Sequence, residues 1–147
     1  MYTVIGRFAS QAFAIMRIII GLLFAFHGSQ KLLGIPPMPP MPGGFQLPAI
    51  AIVGGWIELV GGLLVTVGLL TGIAAFICSG EMAVAFFIGH AGPALAKGGA
   101  FAWHPLVNQG ELAVVYCFIF LFIAAHGAGV WSIDAGLRGR SAAATTS

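Results

Sequence analysis

All three glutamates of this chain stand inside apolar stretches: Glu58 in "GGWIELVGG", Glu81 in "SGEMAVAFF" and Glu111 in "QGELAVVYCF". Arg17 and His27 open and close another, "RIIIGLLFAFH". In lipid an ionised side chain costs about 2.5–3.5 kcal/mol on insertion scales, so such groups pair, take up a proton or line a wet cavity. These five residues form the candidate intramembrane polar site. The plain structural expectation is an ion pair between Arg17 and Glu58 or Glu81. One arginine cannot neutralise two carboxylates and also serve Glu111. The excess carboxylate is where proton exchange or hydrogen bonding to a ligand becomes available.

His90, His104 and His126 are secondary candidates. His90 and His104 belong to the rim of the apolar region, and His126 to its opposite end. No H-x-x-x-H or E-x-x-H pair puts two ligands on one helix face, so no metal site is expected. Phosphate-binding loops, dinucleotide fingerprints and nucleophile elbows are absent as well. Cys78 and Cys117 lie in apolar runs without a C-x-x-C spacing. They read as buried small hydrophobes at different depths, which argues against a membrane dithiol oxidoreductase.

The elements that must hold these residues follow from composition. Of 147 residues, 59% are hydrophobic and only 7% charged, and mean hydropathy is +1.03. A soluble domain carries about 25% charged residues, so lipid is the expected solvent. A net charge of +2 without a basic tract excludes nucleic acid as a partner. Four apolar runs, at about 8–33, 47–70, 72–90 and 105–131, approach or exceed the roughly 20 residues that span hydrocarbon. Continuous apolar runs exclude alternating strands. The proline-methionine stretch "GIPPMPPMPGG" after the first run reads as a loop, and "TG" at Thr71–Gly72 as a tight turn between the second and third. The expected fold is all-α, an integral membrane four-helix bundle forming a single domain over 1–140, with a disordered tail at 141–147. Four spans put both termini on one side. Arg7, Arg138 and Arg140, against only Lys31 and Lys97 counted to the two long loops, make that side the cytoplasm.

Helical rise places Arg17 and Glu81 about 13 Å, and Glu58 about 15 Å, inside the hydrocarbon, as one layer. Glu111, counted from Pro105, joins His27 in a second layer about 9 Å below the other boundary. Gly54, Glu58, Gly61, Val65, Gly68 and Gly72 recur on one face, a small-residue stripe of the kind that lets helices approach closely in lipid.

"GLLFAFHGSQKLLG", "GWIELVGGLLVTVGLLTG", "GEMAVAFF" and "NQGELAVVYCFIFLFIAAHGAGVWSID" resemble, in that order, the helices of the DoxX family of small bacterial membrane proteins. The resemblance extends over about residues 10–134. It implies a four-helix bundle in the bacterial inner membrane, with Arg17, His27, Glu58, Glu81 and Glu111 at the family's recurrent polar places. It also implies association with redox assemblies, either quinone-linked or linked to thiol and oxidative stress, and a membrane or peripheral redox protein as partner. Quinone is the cofactor this points to, and a homo-oligomer is compatible with it. Whether the chain itself is an enzyme is left open by the resemblance. Two other functions fit the same residues: a non-catalytic membrane scaffold, and a small proton-coupled transporter titrating at Glu58 and Glu81.

Overall fold

The computed structural model describes residues 4–37 and 47–144, and every regular element among them is helical. Most of the proline-methionine segment, read above as a loop, lies outside the described residues. After a 3₁₀ turn, Val4–Phe8, α1 covers Ala9–Leu33 and ends at Gly34, whose φ of +66° closes a left-handed cap. Helix α2, Ala49–Val67, contains a π turn at Ile57–Gly61. Helix α3, Thr71–Lys97, contains a second π turn at Phe86–Ala91. A short helical turn, Pro105–Asn108, precedes α4, Glu111–His126, and α5 covers Ile133–Ala144.

Three of these helices, counting α1 with its 3₁₀ turn, are long and apolar enough to cross a membrane. Helix α4 is apolar but has 16 residues. That is about 24 Å, short of a hydrocarbon core of about 30 Å. The run expected to be one helix from 105 is interrupted by Gln109, whose φ of +61° lies outside the right-handed helical region. Helix α5 carries regular structure to Ala144, into the stretch expected to be disordered.

Backbone proximity governs the packing of α1 on α2. A Cβ on Gly21 would sit 2.8 Å from the Gly62 carbonyl oxygen, and one on Gly62 would sit 2.6 Å from the Gly21 carbonyl oxygen. One turn pair further along, a Cβ on Gly28 would lie 2.5 Å from the Gly55 carbonyl oxygen. The two helices thus mesh at paired glycines seven residues apart. On the other side of α2, a Cβ on Gly61 would meet Cys78 Sγ of α3 at 2.5 Å. Helices have no hydrophobic drive to associate in lipid, so this close packing stands in for it. Helix α4 closes the bundle through aromatic rings: Phe24 of α1 meets Phe120 edge-on at 4.6 Å and Tyr116 at 5.4 Å. Phe24, Phe120, Val65, Ala75 and Cys78 are all buried.

The α2–α3 turn is tied down from a distance. Its turn is Gly68–Leu70, with helix resuming at Thr71, rather than the Thr71–Gly72 pair expected. Leu70 occupies the N-cap of α3 and has no side-chain oxygen to offer its orphan donors. Asp134, at the start of α5, does this instead. Its Oδ1 accepts from Leu70 N at 2.9 Å, and its Oδ2 accepts from Thr71 N at 2.9 Å and Thr71 Oγ1 at 2.8 Å. Desolvation raises the Asp134 pKa, but the hydrogen bonds from Thr71 and Leu70, with Arg138 nearby, outweigh it and hold the pKa below the usual range.

Two outcomes follow from this packing. Gly62→Val should destabilise the protein by about 3 kcal/mol, the upper part of the overpacking range, because its obstacle is backbone. Gly80→Ala, with nothing within 4 Å of the added atom, should be neutral or stabilising by up to about 1 kcal/mol. Unfolding in mixed detergent micelles measures both. For the cap, Asp134→Ala should cost about 1–2 kcal/mol at neutral pH. Folding favours the Asp134 carboxylate, so its contribution is fully present above pH about 4 and fades as the pH falls through the lowered value. The gap between the wild type and Asp134→Ala should therefore close in acid.

Candidate functional site

The five primary residues do not form one cluster. Arg17 is fully buried and has no carboxylate partner. Its Nη1 donates to the carbonyls of Val65 at 2.6 Å and Thr66 at 2.7 Å, and Nη2 donates to Trp131 O at 2.7 Å. Val65 and Thr66 are in the last turn of α2, where carbonyls lack helical donors and the dipole is negative. Arg17 is a clamp joining α1, the end of α2 and the α4–α5 connection. The expected ion pair with Glu58 or Glu81 is replaced by charge-assisted bonds to backbone.

Glu58 pairs instead with Lys31, a residue the sequence reading left in a loop. Lys31 is in the last turn of α1, and its Nζ is 2.7 Å from Glu58 Oε1. Glu58 is 2% exposed, and its Oε2 is buried without a hydrogen-bond partner. It belongs to the π turn of α2, a distortion that re-aims side chains and recurs at functional sites. Glu81 approaches from α3, with Oε1 only 3.0 Å from where a Gly54 Cβ would stand. Gly54 thereby leaves the room this carboxyl occupies. Glu81 Oε2 is likewise buried and unpartnered, and Glu81 lies within the fields of both Glu58 and Lys31. Two carboxyl groups share one ammonium. The second negative charge is left for a proton or a bound cation to balance.

Two histidines join this group. His90, in the π turn of α3, has Nδ1 3.2 Å from Asn108 O. A carbonyl only accepts, so Nδ1 carries the proton and Nε2 is left as an acceptor. The ring of His27 stands edge-on to that of Tyr116 at 6.1 Å. The remaining candidates lie elsewhere. Glu111 is exposed as the first residue of α4, where a negative charge suits the helix dipole. Its expected depth beside His27 came from counting helix through Gln109. His104 accepts from Leu106 N at 3.3 Å and caps the Pro105–Asn108 turn. His126 stacks on Phe13 at 3.9 Å near the opposite end of the bundle.

Lys31, Glu58, Glu81 and His90 border two cavities. A cleft of about 360 Å³ between α2 and α3 has Lys31, Glu81 and His90 as its polar lining, with Ile50, Val53 and Ile88 among the apolar residues. A chamber of about 220 Å³ inside the bundle is bordered by Glu58, His27, Tyr116 and Gln109. Lys31, Ala85 and His90 border both spaces. The cleft sets a few donors and acceptors among apolar walls, which suits an amphiphilic ring. Among the described residues, no group of three or more His, Cys, Asp or Glu could hold a metal ion. Lys31 was legible in principle: it follows His27 by four residues and Arg17, Gly21, Phe24 and Gly28 at helical spacing, so it shares the packing face of α1.

Comparison with known proteins agrees with the packing motifs. The DoxX family model matches residues 12–91. A protein of Haemophilus influenzae, described as an uncharacterized protein, is 39% identical over 121 residues, which cover 82% of this chain and 87% of that one. No solved structure matches. The matched region holds both paired glycine contacts, the Lys31–Glu58 pair, Glu81 and His90. On the family match and the length of the shared sequence, the chain belongs to the DoxX family.

Proposed function

We propose that this DoxX protein is a redox-associated subunit of the bacterial inner membrane that binds a quinone head group in the cleft between α2 and α3. In this reading α4 and its flanking turn form a fourth crossing, and both termini face the cytoplasm, with Arg7 and Arg138 on that side. The observation that carries the proposal is the cleft itself. Its walls are mostly apolar, Val53, Val84 and Ile88 beside it are exposed on the bundle surface, and Lys31, Glu81 and His90 are the polar groups in its lining.

A ring entering from lipid would keep its apolar substituents against Ile50 and Ile88. Lys31 Nζ would donate to a carbonyl, and the Glu81 carboxylate would accept from a hydroxyl once the ring is reduced. A quinone supplies the capacity to take up two electrons with two protons. The chain's own residues orient the ring and hold protons, and a membrane or peripheral redox protein supplies the electrons. A scaffold reading draws on the same Lys31–Glu58 pair as a lock on helix register.

Organic extracts of protein purified in mild detergent should contain quinone, and a short-chain quinone should bind saturably. Lys31→Met combined with Glu58→Gln removes both charges together, and so avoids leaving one buried alone. It should weaken that binding about 10–100-fold, the loss of one hydrogen bond from a charged donor. His90→Leu should weaken it less. Extracts containing only phospholipid, with no saturable binding, overturn the proposal. A correctly folded double variant that still binds quinone normally removes Lys31 from the site.

A further inference from the structure

The chamber on the far side of Lys31 has no role in holding a ring in the cleft, yet it contains the most demanding polar atom of the site. Glu58 is 2% exposed and borders this space, while its Oε2 has no partner. A buried carboxylate oxygen without a donor is costly, and beside a polar cavity of this size a proton or a water that reaches it would offset that cost. The chamber reaches Gln109 and Leu112, both exposed, at the end of the bundle where the Pro105–Asn108 turn lies. The cleft, by contrast, is flanked by residues facing outward from α2 and α3. In the membrane orientation proposed above, the chamber opens toward the aqueous end and the cleft toward lipid.

Three residues line both spaces, and two of them, Lys31 and His90, carry exchangeable protons. Glu58 adjoins the chamber and Glu81 the cleft, each with an unpartnered oxygen. From this arrangement we infer that the chamber is a water-filled proton entry, and that Glu58 and Lys31 pass protons through the partition to whatever occupies the cleft. The inference rests on the quinone reading for the identity of that occupant.

The transfer balances without electrons. The Lys31 ammonium releases a proton to an acceptor in the cleft and becomes a neutral amine. Glu58, protonated from chamber water, returns a proton to Lys31 and is again a carboxylate. Its contact of 2.7 Å with Lys31 Nζ is already a hydrogen bond. The titratable groups facing this path are His27 and Lys31 of α1, Glu58 of α2, Glu81 and His90 of α3, and Tyr116 of α4. His90, with Nδ1 committed to Asn108 O, offers Nε2 as a second acceptor beside Lys31.

The test maps water first and protons second. Cysteines are placed singly at Ala113, which borders the chamber, and at Val84, which borders the cleft, with Cys78 and Cys117 replaced by alanine. Charged methanethiosulfonate reagents attack the thiolate and so report aqueous access. In intact nanodiscs the Ala113→Cys protein should be modified readily and the Val84→Cys protein only by a lipid-soluble maleimide. An Ala113→Cys protein that resists the charged reagent in nanodiscs but reacts once unfolded overturns the inference, whether or not quinone binds. The second arm uses protein loaded with a short-chain quinone. Modification of Ala113→Cys should slow proton uptake on chemical reduction, read by a pH-indicator dye, while quinone occupancy stays unchanged. Unchanged proton uptake in fully modified protein also overturns the route. Failure of quinone to load is a failure of the function proposed above, and the nanodisc labelling still decides whether the chamber is an aqueous entry.

Discussion

Direct contact between the backbones of α1 and α2 is the constraint on which the other features depend. Gly21 against Gly62, and Gly28 against Gly55, bring the two helices closer than any side chain would permit. Helices in lipid gain nothing from hiding apolar surface from one another, so association must come from contacts that lipid tails cannot match. This proximity also sets the reach of the two cations on α1. Arg17 and Lys31 sit fourteen residues apart on the glycine face, about four turns or 21 Å along the axis. Each meets a different stretch of α2: Lys31 pairs with Glu58 at its middle, and Arg17 holds the carbonyls of its last turn.

That division gives the two ends different characters. At the Arg17 end, charge is absorbed by backbone: three carbonyls accept from the guanidinium, and Asp134 accepts three hydrogen bonds at the start of α3. Gly68 permits the close approach, since a Cβ there would lie 3.0 Å from Arg17 Nη1 in a turn whose φ is +71°. Among the described residues, Arg17 Nε alone is left buried without a partner there. At the Lys31 end the arithmetic is open. One ammonium faces two carboxyl groups, and one oxygen of each is buried without a partner. Residual polarity of this kind is what separates a site from a structural lock.

Much of this was legible from residue order. The apolar runs place the helices because a spanning segment must satisfy its backbone internally, and the paired glycines are visible as small residues at helical spacing. Helix ends were harder. Counting from Pro105 carried Glu111 into the membrane, because nothing in "PLVNQGEL" announces that Gln109 takes a positive φ. Arg17 was assigned a carboxylate because a sequence shows charged side chains and hides carbonyls, although the carbonyls at a helix end are equally good acceptors. Lys31 was counted as a loop charge, while its spacing from Gly28 and Gly21 already set it on the packed face. Asp134 reaches Thr71 across 63 residues, and no local pattern foretells such a cap.

The two π turns carry this contrast into mechanism. Glu58 lies in one and His90 in the other, on neighbouring helices that flank the same cleft. A π turn forfeits regular helical hydrogen-bond geometry and persists where the surroundings hold it. Here the surroundings differ in kind. The turn in α2 is held by the Lys31–Glu58 pair and by glycines packed on both sides. The turn in α3 buries Ala91, packs Phe86 against the core and, through His90, donates to the carbonyl of Asn108 in the connection to α4. The first is locked by a charged pair and by backbone contact, and the second by side-chain packing together with a tie to the segment that leads into α4.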